Sequence, residues 1–305
     1  MLAKMPRGEE NMTIAACYLS SEGVVFGADS TSTMFVGGTR PGLGSDHHYN
    51  HAQKIYEIGE NSTLGLTMWG LGSLGTISYR TLVAQFADTM VSTGAHSIRE
   101  VADRWNEFFW TRYSEAFLPE LERARQLAAQ VSRSPEEEDE LEALAQAYFV
   151  GFCLGGYLMH DRTPGAYVMR FDPTLTGPKA VEAVPTGSAH FWGCPNLIDR
   201  LIYGLDWRLA TAIIQSGKWT GDLNELIDLA APLFLGQPRD LPIREAIDWV
   251  HASIYTTIKT MKFSHLSPVC GGPVELAVIT TDRLFRWVRH KGFDAAIFEG
   301  GVSNV

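Results

Sequence analysis

The order of the predicted elements indicates an α+β protein in which two antiparallel sheets stack and helices cover the outside. Strand-like and helical segments come in blocks: strands, then helices, then strands, helices and strands again. A parallel doubly wound sheet would alternate its strands and helices more strictly. The sequence also carries no phosphate-binding loop of the G-x-x-x-x-G-K-[ST] type, so a nucleotide site is not indicated.

The first block opens with a β-hairpin over residues 13–36. Apolar residues on both sides of a Ser-Ser-Glu-Gly turn favour two paired strands, with Gly23 closing the turn. Thr13 begins the first strand and Asp29 ends the second, so the hairpin would bring the two side chains together. Residues 37–53 are rich in Gly, Pro and Asn and predict a loop.

The later elements follow from periodicity and turn signals. Ser134 precedes a proline and a run of acids, which is typical of a helix start. The other expected strands lie at 54–58, 63–69, 149–159, 166–172, 181–184, 271–280 and 285–289, and the other helices at about 77–93, from 97 onward and over most of 195–262.

Composition narrows the class of protein. The chain has 305 residues, a net charge of −10 and four scattered cysteines, and no apolar run reaches the length of a membrane span. Its first residues lack the apolar segment of a secretory signal. We expect a cytoplasmic protein with neither a nucleic-acid nor a membrane partner and no cofactor.

Short segments spread along the chain match one known pattern in order. Residues 23–29 read Gly-Val-Val-Phe-Gly-Ala-Asp, 53–58 read Gln-Lys-Ile-Tyr-Glu-Ile, and 66–70 read Leu-Thr-Met-Trp-Gly. Residues 186–188 read Thr-Gly-Ser, and 271–279 read Gly-Gly-Pro-Val-Glu-Leu-Ala-Val-Ile. Together they resemble proteasome β subunits and their bacterial relatives, a family of N-terminal-nucleophile hydrolases.

The resemblance implies a four-layer αββα sandwich of two antiparallel sheets with enlarged helical insertions, formed by one domain over residues 13–305. Residues 1–12 would be an upstream extension or a propeptide. The implied site comprises the nucleophile Thr13, the acid Asp29, the lysine Lys54, the oxyanion-hole glycine Gly70, the serine Ser188 and the channel-lining threonine Thr33.

The implied chemistry is amide hydrolysis by a threonine that is its own base. If Thr13 is the first residue, its free amine, with a reference pKa of about 7.7–8.0, can accept the proton of its own hydroxyl. Lys54 would favour the ionised hydroxyl by its charge, and Asp29 would orient Lys54. The implied assembly is a homo-oligomeric ring that takes peptides or unfolded proteins, with an ATP-dependent unfoldase as a further partner.

Two departures from the family pattern keep other functions open. Ser267 and Cys270 stand where the family has an Asp and a Ser that support the amine, and Thr31 replaces an arginine. Counting back from Asp29 places Thr13 at the nucleophile position, whereas matching the common Thr-Thr-Ile start places Met12 there. The alternatives are a non-proteolytic amidase acting on a small amide, whose site the long insertions would close, and a catalytically inactive structural subunit, which the missing Asp and the Met12 alignment favour. Met12-Thr13 also reads as a true start, from which the initiator would be trimmed.

A metal site is not expected. Asp46, His47, His48 and His51 are close in sequence, but histidines on a Gly-rich loop rarely converge on one ion.

Overall fold

The computed structural model describes residues 13–36, 45–265 and 270–291, without the side chains of residues 33–36 and 45–48. The strands in these ranges are β1 (Ile14–Ser20), β2 (Gly23–Ala28), β3 (Ser32–Val36), β4 (Ser45–Tyr49), β5 (Ile55–Glu57), β6 (Leu64–Gly70), β7 (Val150–Gly156), β8 (Gly165–Phe171), β9 (Glu182–Ala183), β10 (Ser188–Gly193), β11 (Glu275–Thr280) and β12 (Arg283–Arg289). The helices are α1 (Tyr79–Thr93), α2 (Ile98–Ala116), α3 (Leu118–Ala128), α4 (Pro135–Tyr148), α5 (Asn196–Tyr203), α6 (Trp207–Gln215), α7 (Leu223–Ala230) and α8 (Ile243–Lys262), with a short 3-10 turn at Ala231–Leu233.

The strands form two five-stranded antiparallel sheets. The first has the order β10-β1-β2-β11-β12 and the second the order β5-β6-β7-β8-β9, while β3 and β4 make a separate two-stranded ribbon. All the strand pairs within the described residues are antiparallel. The prediction of an α+β protein with two antiparallel sheets is confirmed.

The two sheets face each other, and helices cover their outer faces. On β1, Ala15 and Cys17 belong to a core shared with Trp69 and Cys153 of the second sheet. The alternate residues of β1 pack instead against α8 and α5. The outer face of the second sheet packs against α1 and α2.

Gly27 of β2 allows α8 to lie close to the first sheet. A Cβ atom at this position would stand 2.5 Å from Cγ1 of Val250 and 2.6 Å from Cδ1 of Ile254. Because such distances are shorter than real Cβ contacts, a side chain here would push the helix off the hairpin. The hairpin that carries Thr13 and Asp29 is thus held between α8 and the second sheet.

The helix starts agree with the capping signals in the sequence. Ser97 accepts a hydrogen bond from Glu100 N–H at the start of α2, and Ser134 forms a reciprocal capping box with Glu137 at the start of α4. Among the described residues, none of the helices is both long and apolar enough to cross a membrane.

Two strands lie where the sequence did not predict them. Residues 37–53 were expected to be a loop, but Ser45–Tyr49 forms β4 and pairs with β3. Ser188–Gly193 forms β10 on the edge of the first sheet, where the sequence indicated only a turn. Both pairings join segments through backbone hydrogen bonds, which need no particular side-chain pattern.

Candidate active site

Thr13 and Asp29 meet at the open end of the first hairpin, as the sequence predicts. The antiparallel register places Ala15 opposite Ala28, so the residues just beyond this pair adjoin each other. Asp29 N–H donates to Ile14 O at 3.1 Å, and Ile14 N–H donates to the Asp29 carboxylate at 3.1 Å. These two bonds fix the acid beside Thr13, at the start of β1.

Lys54 reaches this hairpin from the segment that leads into β5 of the second sheet. Its ammonium donates to Thr13 Oγ1 at 2.7 Å and to Asp29 Oδ1 at 2.6 Å. Lys54 and Thr13 are each 4% exposed and Asp29 is fully buried. The structure therefore brings three of the sequence-predicted site residues into one buried contact.

Backbone donors complete the surroundings of the Asp29 carboxylate. Its Oδ2 accepts hydrogen bonds from Thr31 N–H at 3.1 Å and from Gly271 N–H at 3.0 Å. Oδ1 is shared by Lys54 and Ile14 N–H. Four donors thus hold one carboxylate, and the ammonium that it binds is the group aimed at the Thr13 hydroxyl. A buried cation at 2.7 Å from a hydroxyl oxygen favours negative charge on that oxygen.

The Cys194 thiol lies at the Thr13 backbone nitrogen and contacts the Cys270 thiol. Ile14 pairs with Gly193, the last residue of β10, so Cys194 follows the strand directly and lies opposite Thr13. A hydrogen bond from the Cys270 thiol lowers the pKa of the Cys194 thiol, and the Thr13 backbone N–H acts in the same direction. The same thiol contact, together with burial, raises the pKa of Cys270 well above its ordinary value. Cys270 thus lies at the site as predicted, and Cys194 joins it.

Ser188 does not lie at the Thr13 site. It pairs with Leu19, at the opposite end of β1, which is roughly 20 Å from Thr13 at the usual strand rise. Its hydroxyl lies 3.3 Å from Nε2 of His190 instead. The prediction that Ser188 is the serine of this site is therefore wrong, and Cys194 lies opposite Thr13.

Gly70 and Thr33 lie on elements next to the site. Met68 N–H donates to Lys54 O at 3.0 Å, so β6 passes Lys54 and ends two residues later at Gly70, which has a positive φ of 91°. The residues after Gly70 approach β3, since a Cβ atom at Gly72 would lie 3.5 Å from Ser32 Oγ. Thr33 is the next residue of β3, and Ser267 lies outside the described residues.

Sequence reasoning missed Cys194 and Glu275. Glu275 is fully buried at the start of β11, and one of its oxygens accepts the Lys54 backbone N–H at 3.3 Å. A charged residue between Val274 and Leu276 in an apolar strand is itself a signal of a paired buried charge. The signal for Cys194 was the aromatic stretch 190–192 between Gly187 and Gly193, which favours a strand that ends just before Cys194.

Metal binding finds no support in the part of the chain that the structure describes. No group of three or more His, Cys, Asp and Glu side chains converges there. His51 is exposed, and the side chains of Asp46, His47 and His48 lie outside the description.

Comparison with known proteins gives no independent identification. No family model matches the chain, and no curated protein matches it. The functional assignment therefore depends on the geometry around Thr13.

Proposed function

We propose that the chain is a threonine-type hydrolase of the N-terminal-nucleophile class, similar to proteasome β subunits, in which Thr13 cleaves amide bonds once residues 1–12 are removed. The observation that carries this proposal is the buried contact of Lys54 Nζ with both Thr13 Oγ1 and Asp29 Oδ1, at 2.7 and 2.6 Å. An isolated Lys–Asp pair usually lies on the surface and contributes little to the stability of the protein. Here the pair is buried and its cation is directed at a hydroxyl.

The reaction begins with proton transfer inside one residue. The free α-amine of Thr13 takes the hydroxyl proton, and Oγ1 attacks the carbonyl carbon of the substrate amide. The Lys54 ammonium stabilises the charge that develops on Oγ1, and the Gly70 N–H is the proposed donor to the oxyanion. The protonated amine then passes its proton to the leaving nitrogen as the C–N bond breaks. Water hydrolyses the resulting ester and restores the hydroxyl.

An extended peptide suits the surroundings of the site. Substrate would add as a strand between β3, near Thr33, and the chain that follows Gly70. The closeness of Gly72 to Ser32 supports this, because it makes the two segments walls of the same region. Two facing antiparallel sheets under outer helices also agree with the proteasome-subunit fold. We extend the proposal to a cytoplasmic homo-oligomeric ring that receives unfolded chains from an ATP-dependent unfoldase.

The test is turnover by protein whose N-terminus has been established by intact mass. The protein that begins at Thr13 should hydrolyse fluorogenic peptides. The Thr13→Ala variant should lose this activity, and the Ser188→Ala variant should retain it. Cleavage of small amides alone would favour the amidase alternative. A chain that retains residues 1–12 and releases no product would favour the inactive subunit and overturn the proposal.

A further inference from the structure

A second buried ion pair lies beneath the Thr13 site. Glu275 is fully buried, and its Oε2 accepts the backbone N–H of Lys54 at 3.3 Å. In the sheet, Glu275 is directly opposite Ala28, the neighbour of Asp29. The Glu275 carboxylate therefore contacts the backbone of Lys54 and lies beside β2, the strand that leads to Asp29.

The other oxygen of Glu275 is held from the end of β12. Lys291 Nζ lies 3.4 Å from Oε1, and His290 Nδ1 lies 3.1 Å from the same atom. The Lys291 side chain is only 9% exposed, and its ammonium also donates to the carbonyl of Ala52. Lys291 thus holds the chain around Lys54 through two contacts. It binds the Ala52 carbonyl directly, and it binds Glu275, which in turn accepts the Lys54 backbone N–H.

The sheet does not need charge at this point. The residues that flank Glu275 along β11 are apolar and buried, and an apolar residue avoids the desolvation cost of a buried ion pair. The Glu275–Lys291 pair attaches residues 52–54 to the first sheet. That attachment sets how far Lys54 can reach toward the hairpin.

We propose that Glu275 and Lys291 are positioning residues for Lys54, which hold its backbone so that its ammonium meets both Asp29 and Thr13. This inference deepens the proposed function and rests on it, because it takes Lys54 to serve the nucleophile. Burial lowers the pKa of Lys291, and the charge of Glu275 opposes that effect, so the two groups also form part of the electrostatic setting of the site.

The charges around Lys54 and Glu275 come from several elements. Asp29, on the hairpin, faces Lys54, and the Cys194 and Cys270 thiols lie on the same side. Glu275 faces Lys291, His290 and the Tyr56 hydroxyl of β5. Removing the negative charge of Glu275 would make the site more positive, and removing Lys291 would make it more negative. The two changes should move the protonation of the Thr13 amine in opposite directions.

Three variants separate positioning from general stability. Glu275→Gln keeps an oxygen for the Lys54 N–H but removes the charge, and Lys291→Met keeps the length of the side chain but removes the ammonium. Arg289→Met is the matched control, since Arg289 ends β12 two residues before Lys291 and its guanidinium lies 2.9 Å from Nε2 of His251 on α8.

We expect both test variants to lower kcat roughly 10- to 100-fold with KM changed less than about twofold, because the reacting groups are displaced while the peptide groove is intact. The acid limb of the pH–rate profile should move to lower pH in Glu275→Gln and to higher pH in Lys291→Met, by at least about 0.3 pH units. Lys291→Arg should recover most of kcat. The inference would be overturned if the kcat of the two test variants equalled that of Arg289→Met. It would also be overturned if the acid limbs of the two pH–rate profiles moved in the same direction.

A second readout does not depend on turnover. In protein with ¹³C-labelled lysine, the Cε signal of Lys54, assigned from its loss in Lys54→Met, should shift in Glu275→Gln and Lys291→Met but not in Arg289→Met. If wild-type turnover proves independent of Thr13, the proposed function fails. The Lys54 Cε signal then still shows whether Glu275 and Lys291 position Lys54. If a single variant does not fold, the pair Glu275→Leu with Lys291→Met leaves no unpaired charge and permits the same measurement. An unchanged Lys54 signal in that pair contradicts the inference.

Discussion

Asp29 and Asp199 are both buried carboxylic acids, but their surroundings differ. Asp29 is fully buried and accepts four hydrogen bonds, one of them from Lys54. Asp199 is 8% exposed on α5, and its Oδ2 has no hydrogen-bond partner in the described residues. Burial, with the nearby charge of Asp206, raises the pKa of Asp199 from 3.8 to about 7.

The difference shows what a buried charge requires. Three backbone N–H groups, those of Ile14, Thr31 and Gly271, donate to Asp29. Lys54 adds an ammonium from the segment before β5, so the desolvation of the carboxylate is compensated. Around Asp199, the available guanidinium of Arg200 pairs with Asp206 instead. Compensation at Asp29 keeps a cation next to the Thr13 hydroxyl.

The largest effect should come from removing the cation that Asp29 holds. Lys54→Met should lower turnover at least about 10²–10³-fold, the usual loss when a charge-stabilising donor is removed from an active site. Steady-state hydrolysis of a fluorogenic peptide measures this loss. Ser188→Ala is the control, and its rate should stay within about twofold of wild type because Ser188 lies at the other end of β1. Equal losses in both variants would show that the Lys54 contact has no special role.

The next effect concerns stability. Asp29→Asn leaves Lys54 buried without a counterion, which should cost about 3–5 kcal/mol of unfolding free energy. The double variant Asp29→Asn with Lys54→Met should recover a large part of this loss, because no unpaired charge remains. Urea denaturation of the two single variants and the double variant completes the cycle. Strict additivity would mean that the pair is not coupled.

The contribution of β10 to the site shows which parts of the site can be predicted from the sequence. The hairpin and the meeting of Thr13 with Asp29 were predictable because a turn glycine between short apolar strands sets them locally, whereas Lys54 was expected only from the resemblance to proteasome β subunits. The place of Cys194 was not predictable, because it depends on β10 pairing with β1, about 170–180 residues earlier in the chain. Glu275 was overlooked for the same reason: its partners Lys54 and Lys291 come from different elements, so their proximity is a property of the packed sheets.

The smallest effect is on the pH dependence of stability at Asp199. Its folded pKa of about 7 lies above its ordinary value of 3.8, so the folded state binds an extra proton between these values. Stability from this group is therefore present below about pH 3.8 and is lost as pH rises through 7. Asp199→Asn should stabilise the protein by about 1–3 kcal/mol at pH 8 and by less at pH 5.

Urea denaturation at the two pH values checks this prediction. The Asp29→Asn variant is the comparison, since the same chemical change there should destabilise the protein at pH 8. A gain for Asp199→Asn that is the same at both pH values would show that Asp199 does not titrate in this range.

The most direct test of the central claim is to locate the adduct formed with a peptide epoxyketone, a reagent that consumes both a hydroxyl and a free amine of the same residue. Protein that begins at Thr13 should carry the adduct on Thr13, and mass spectrometry of the N-terminal peptide should show it there, with none in Thr13→Ala. An active protein with no adduct on residue 13, or with residues 1–12 still attached, would contradict the account.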